Sequence, residues 1–292
     1  MFKRALICTD FEDGLQRLVH FVPGLATGGL EQIVFFHNVP LTPEREIPKV
    51  DAEEVEAARQ RLAVAQQSAP EGTTVKVEVQ SGRAIDNILK SAKTNDSDII
   101  FLGMPTRTLL TEKLFGSTTV GITKQTMSPL MILRPQLVAT YRESELMLRM
   151  QHLFEYLLLP YDGSSSAQYL VNQIKHQVSS TSNCKLKHCL LCWVIDDSVR
   201  KELRGAHQVN QAESELAKVK SELEELGISV NTEVRQGDPK GEILKSAEVN
   251  DITAIAVCSG KSNMLARFSV PSFTNMLLRC SWHPILHFPR ES

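Results

Sequence analysis

The strongest constraint on this chain is that most of it occurs twice. Gly82, followed by Ile88-Leu89-Lys90-Ser91-Ala92, returns 155 positions later as Gly237, followed by Ile243-Leu244-Lys245-Ser246-Ala247. Asn95-Asp96 and Pro129 recur at the same offset, as Asn250-Asp251 and Pro284. Near the start of each half the offset slips to 152, where Leu6-Ile7-Cys8-Thr9-Asp10 answers Leu158-Leu159-Pro160-Tyr161-Asp162. A period this long is a whole domain, not a solenoid unit, and 292 residues leave room for two domains of ordinary size. The repeat divides the chain into a first domain, 1–138, a connector, 139–151, and a second domain, 152–292. In the connector, Arg142, Glu143, Glu145 and Arg149 alternate with Leu146, Met147, Leu148 and Met150, a pattern that reads as a short helix.

Within each half, apolar strand-like runs alternate with helical periods, which predicts an α/β fold with a parallel sheet covered by helices. In the first half the strands fall near 3–9, 31–39, 73–79, 98–102 and 129–133. Ile99-Ile100-Phe101-Leu102 is a continuous apolar run, as suits a strand buried on both faces. Asp51 to Ser68 reads as a helix with Val55, Ala58, Leu62 and Ala65 on one face, and Ile85 to Lys93 as another. In the second half the strands fall near 154–161, 186–194, 228–234, 252–258 and 284–288. There Asn210 to Leu226 reads as a helix stopped by Gly227. Right-handed crossovers turn each half into a doubly wound five-stranded sheet. Such sheets bind ligands beyond the carboxyl ends of their strands, where strand order reverses. The loops beginning at Asp10, Gly103, Asp162 and Cys258 are therefore the ones to examine.

Composition narrows the partners. Lys+Arg number 32 against Asp+Glu 34, so no basic excess points to nucleic acid or an anionic membrane surface. No apolar run reaches the roughly 18 residues of a membrane span. The start is basic, then apolar, then broken by Asp10; it reads as a first strand, not a signal peptide, and places the protein in the cytoplasm. The six cysteines lie mostly in or beside strand-like runs, the setting of reduced, buried thiols.

The loop after the fourth strand carries the chemistry. It opens on Gly103 directly after the buried strand and reaches Gly116-Ser117-Thr118-Thr119 at a helix start. A glycine lets backbone approach a ligand closely. Free amides and hydroxyls at a helix N-terminus suit a phosphate. In this arrangement the chain resembles the universal stress protein family in a tandem two-domain form, with a Rossmann-like fold. Nucleotide-binding members of that family carry Gly, two residues, Gly, nine residues, then Gly-Ser/Thr. Gly103 and Gly116-Ser117 match, while Thr106 stands where the middle glycine belongs. The resemblance implies that Asp10, beside Thr9, meets adenine with Val39 at the end of the second strand. It places Gly103, Thr106, Gly116, Ser117 and Thr118 at the phosphates. The ligand it implies is ATP or another adenine nucleotide, with or without Mg²⁺. It also implies pairing of the two halves through 129–133 and 284–288 as an internal pseudo-dimer, with a homodimer left open.

The second half departs from the pattern. Cys258 replaces the first glycine, Lys261 the middle one, and Pro271-Ser272 the Gly-Ser. Pro271 has no N–H to donate, so this half is expected to bind nucleotide poorly although Asp162-Gly163-Ser164 is kept. Gly260-Lys261-Ser262 resembles a P-loop end, but Ile255 stands where the leading glycine belongs. Cys189 and Cys192, with His188 and Cys184 near them, have metal-like spacing, yet residues three apart on a strand face opposite ways. His283 and His287 read as strand-edge residues. Asp10 also has a local reading, as a cap for the next helix, and Glu12 and Asp13 put negative charge beside the phosphates. The resemblance thus implies a regulatory nucleotide-binding stress protein, not an enzyme, with slow ATP hydrolysis left open. The alternatives are an interaction module of the same fold that has lost nucleotide binding, and a hydrolase, for which no nucleophile–base pair stands out.

Overall fold

The computed structural model describes residues 1–41, 49–104, 117–134, 138, 142–196, 206–258 and 273–290. The chain divides into two compact units, residues 2–151 and 152–292. The first contains β1 (Arg4–Thr9), a 3-10 turn (Leu15–His20), α1 (Val22–Thr27), β2 (Gln32–Val39), α2 (Ala52–Gln67) and β3 (Thr74–Ser81). It continues with α3 (Ala84–Thr94), β4 (Ile99–Gly103), α4 (Ser117–Gln125), β5 (Leu130–Leu133) and the connector helix α5 (Glu143–Gln151). Its strands run parallel in the order β3-β2-β1-β4-β5. The order reverses between β1 and β4.

The second unit contains β6 (Tyr156–Pro160), α6 (Ser165–Ser179), β7 (His188–Asp196), α7 (Ala206–Glu224) and β8 (Ser229–Gly237). It ends with α8 (Pro239–Val249), β9 (Ala254–Cys258), α9 (Phe273–Cys280) and β10 (Ile285–Phe288). The same parallel order recurs as β8-β7-β6-β9-β10. The doubly wound α/β sheet expected of each half is present.

Local chemistry explains the elements. Asp51 caps α2 by accepting the Glu54 amide at 2.9 Å, and Ala58, Leu62 and Ala65 form its buried stripe. On α7 the buried stripe is Ala212, Leu216, Val219 and Leu223. Gly227 follows with φ of 80°, the left-handed conformation in which glycine ends a helix without strain. The segment after β1 is assigned no element from the sequence. Pro23 lacks an N–H and clashes with the carbonyl four residues back, so the crossover is split into a 3-10 turn and the short α1. In the second unit the same crossover is the continuous, 15-residue α6, capped by Ser164 accepting the Ala167 amide. The connector helix belongs with the first unit. A Cβ at Gly24 would lie 2.7 Å from Met147 Sδ, and one at Gly28 would lie 2.8 Å from the Met150 carbonyl. Only glycines permit this approach of α1 to α5.

The repeated Ser and Asn residues have a structural purpose. Ser91 donates to Glu78 Oε2 at 2.6 Å, and Asn95 Nδ2 donates to Glu78 Oε1 at 2.7 Å and to the Ser91 carbonyl at 3.0 Å. The second unit repeats this with Ser246 to Glu233 at 2.6 Å, Asn250 to Glu233 at 3.0 Å and Asn250 to the Ser246 carbonyl at 2.9 Å. In each unit a strand carboxylate is thereby tied to the last turns of the following helix. The next residues, Asp96 and Asp251, turn the chain with φ of 47° and 50°. Asn95→Ala leaves a half-buried carboxylate short of a donor, which costs about 1–3 kcal/mol. Urea unfolding should show that loss, with Asn250→Ala costing a similar amount. Unchanged midpoints in both variants would contradict the lock.

Candidate functional site

The site is built where β1 stops. Thr9, its last residue, is buried. Its hydroxyl accepts the Phe11 amide at 3.0 Å and donates to Asp13 Oδ1 at 2.8 Å. Its carbonyl accepts from His37 Nδ1 at 2.8 Å. Asp10 is exposed, and its Oδ1 accepts the amides of Glu12 and Asp13, both at 2.8 Å. Asp13 Oδ1 in turn accepts the Leu15 amide at 2.9 Å. Four amides of this loop are thus held by the side chains of Thr9, Asp10 and Asp13. Asp10 therefore bonds its own loop and does not make the helix cap that was the alternative reading of it: the 3-10 turn starts after Gly14, with no side chain capping it.

Phe11 takes φ of 64°, an uncommon conformation for a residue with a side chain. Its ring lies between the Arg61 guanidinium, 3.8 Å from the ring centre, and the His37 ring at 4.3 Å. The cation over the ring face is itself attractive.

Gly103 closes β4 beside this loop, one residue beyond the Cys8–Leu102 pair. A Cβ built on it would lie 2.4 Å from both Cβ and Oδ2 of Asp13. The sequence reading gave the open space at Gly103 to a ligand, whereas the group packed there is Asp13. The Thr9 hydroxyl and the Leu15 amide draw that carboxyl inward, and no side chain at residue 103 keeps it out.

Val39, at the end of β2, is fully buried. Beside it Asn38 donates to the Gly82 carbonyl and accepts from Asn87. The helix expected after Gly116 begins at Ser117 as α4, and Thr118 is half-buried within it. Thr106 and Gly116 lie outside the described residues. Thr9, Asp10, Val39 and Gly103 therefore gather at the ends of three neighbouring strands. Phe11, His37 and Arg61 join them without having been singled out in the sequence. Nothing in their spacing announces a stack between a loop, a strand and a helix.

The second unit fills the corresponding ground differently. Asp162 Oδ1 accepts the Ser164 amide at 3.0 Å. The edge of Trp193 covers Gly163, 3.2 Å from a Cβ position there. Cys258 is buried, and its Sγ donates to the Ser166 carbonyl at 2.9 Å. Lys261, Pro271 and Ser272, with the P-loop-like Gly260-Lys261-Ser262, lie outside the described residues. Cys189 and Cys192 are both buried on β7, and all six cysteines are free thiols, Cys280 being exposed. His287 is not at an edge in the sense of being exposed: it is buried in β10, and burial pushes its imidazole down to about 4. No helix among the described residues is long and apolar enough to cross a membrane.

Burial, reinforced by the Asp10 carboxylate, pushes Asp13 up to about 6 against the pull of its hydrogen bonds to Thr9, Leu15 and Asp10. The folded chain therefore holds a proton that the unfolded chain releases near pH 4, so Asp13 lowers stability as pH rises from 4 through 6. At pH 7 the cost is roughly 3 kcal/mol. Urea unfolding should show that slope, and Asp13→Asn should flatten it; a profile unchanged by the substitution would contradict the burial. Gly103→Ala should cost about 1–3 kcal/mol through overpacking, and Asp13→Gly in the same chain should recover part of it. Strict additivity of the two would contradict the contact.

The chain matches the model of the Universal stress protein family over residues 1–134 and again over 154–289. Among solved structures it is similar to a universal stress protein from Archaeoglobus fulgidus, at 20% identity, with 98% of each chain covered and a TM-score of 0.63. A putative universal stress protein from Pseudomonas aeruginosa aligns at 11% identity over 98% of this chain and 93% of its own, with a TM-score of 0.61. A family protein from Arabidopsis thaliana, described with AMP bound, covers 47% of this chain and 93% of its own, at 15% identity and a TM-score of 0.35. No curated protein sequence matches.

Proposed function

Because the chain belongs to the universal stress protein family, with one family domain in each half, we propose that the first domain binds an adenine nucleotide and serves regulation under stress without catalysing a reaction. The observation that carries this is the placement of Asp10, Val39 and Gly103. Asp10 and Gly103 lie at the ends of β1 and β4, between which strand order reverses, and Val39 ends the neighbouring β2. That crevice is where sheets of this kind take their ligands. Asp10 and Val39 hold the adenine, with Thr9 beneath. Gly103, Thr106, Gly116, Ser117 and Thr118 take the phosphates at the start of α4. With the amides of Phe11, Glu12, Asp13 and Leu15 already bonded within their own loop, the phosphate contacts fall to the segment from Gly103 to Thr118. In the second domain the Cys258 thiol occupies the matching strand end, so we assign one nucleotide per chain.

A second reading, an interaction module that binds no nucleotide, is favoured by one observation: the Asp13 carboxyl packed against Gly103 puts negative charge and bulk where the phosphates would pass. Isothermal titration with ATP and with AMP, each with and without Mg²⁺, separates the two. The nucleotide reading predicts saturable binding near one per chain that Gly116→Val abolishes. No heat with any of these ligands favours the interaction module.

A further inference from the structure

We propose that an anionic ligand entering the crevice at the ends of β1 and β4 is bound together with one proton, which Asp13 takes up. The inference rests on the nucleotide reading of this crevice and adds to it a charge requirement. Its basis is steric and electrostatic. Thr9 and Leu15 both bond Oδ1, so Oδ2 is the oxygen turned to Gly103, 2.4 Å from where a Cβ would stand. Asp13 is 5% exposed, which leaves it little water to screen a second negative charge brought to the same strand end.

The groups around it do not offset that charge. On its own loop the neighbour is the Asp10 carboxylate, which itself favours the protonated form. From β1, the Cys8 thiol is pushed well above its ordinary value by burial and then by Asp13, so it stays neutral. From β2, His37 directs Nδ1 to the Thr9 carbonyl. From the 3-10 turn, Arg17 directs its guanidinium to the Val138 carbonyl. From β4 comes Gly103, with no side chain. Arg107, Glu112 and Lys113 of the following loop lie outside the described residues. Asp13 already holds its proton up to about pH 6. An anion beside it raises that value further, so by linkage the anion binds more tightly as pH falls. Between the free value near 6 and the raised one, affinity falls by up to about tenfold per pH unit, and above the raised value it levels off.

The test is titration of the full chain with ATP between pH 5.5 and 8, in buffers of different ionisation enthalpy, which counts protons directly. The expected result is a weakening of roughly 10- to 100-fold from pH 6 to 8 with net uptake approaching one proton. Asp13→Asn, which keeps an oxygen for Thr9 and Leu15, should bind at pH 8 about as tightly as the unaltered chain does at pH 5.5. Uptake that persists in Asp13→Asn belongs to the nucleotide's own phosphate and overturns the proposal. So does unaltered-chain affinity that is flat across the range, although that result leaves the nucleotide reading standing. No binding by either chain at any pH overturns both. Should Asp13→Asn fail to fold, carbon-13 NMR of the Asp13 carboxyl in the unaltered chain assigns the proton: a midpoint that ATP raises supports the proposal, and one that ATP leaves unmoved overturns it.

Discussion

Where β1 stops decides what the first domain can do. The strand is bracketed by β2 and β4 and buried along five of its six residues, so its chemistry is confined to its carboxyl end. At that end the chain must turn immediately, and it does so by spending side-chain oxygens on its own amides. The turn brings the Asp13 carboxyl against Gly103. One contact thus couples the first strand loop to the fourth strand end, the two places from which a doubly wound sheet builds its ligand crevice. The proton requirement proposed for the site is a consequence of a carboxyl being held there with little water.

The two halves show how one architecture accommodates different strand ends. In both, a Glu on the third strand of the unit is tied to a Ser and an Asn on the next helix, with nearly the same distances. That lock lies away from the carboxyl ends of the central strands, and it is the part that repeats most faithfully. At the ligand edge the halves diverge. The first has Gly103 covered by a carboxyl from the neighbouring loop. The second has Cys258, whose own thiol reaches the Ser166 carbonyl, and Trp193 over Gly163. The framework is retained while the edge that meets ligand differs, as expected when core packing and ligand chemistry impose separate demands.

Much of the framework was legible before any coordinates, because its signals are local or periodic. The 155-residue repeat announced two domains, Ala58, Leu62 and Ala65 announced the buried stripe of α2, and Gly227 announced the end of α7. Ser117 at a helix start was legible as well. The split crossover after β1 was not, although Pro23 was in plain view, because the apolar residues around it fit no single period. The placement of several candidate site residues was legible, and their contacts were not. Asp10 and Gly103 could be named from their positions at strand ends, and Val39 from the family resemblance. That Gly103 is small for the sake of Asp13 depends on a contact between residues ninety apart in the chain, which no spacing rule encodes. The stack of Arg61, Phe11 and His37 was hidden for the same reason, since it joins a helix, a loop and a strand.

The central claim is that the Asp13 carboxyl is buried against Gly103 at a site that receives negative charge. Carbon-13 NMR titration of the Asp13 carboxyl, in the free chain and with saturating ATP, tests it most directly. The account predicts a midpoint near 6 in the free chain and a higher one with the nucleotide present. A midpoint near 4 that ATP does not move would contradict it.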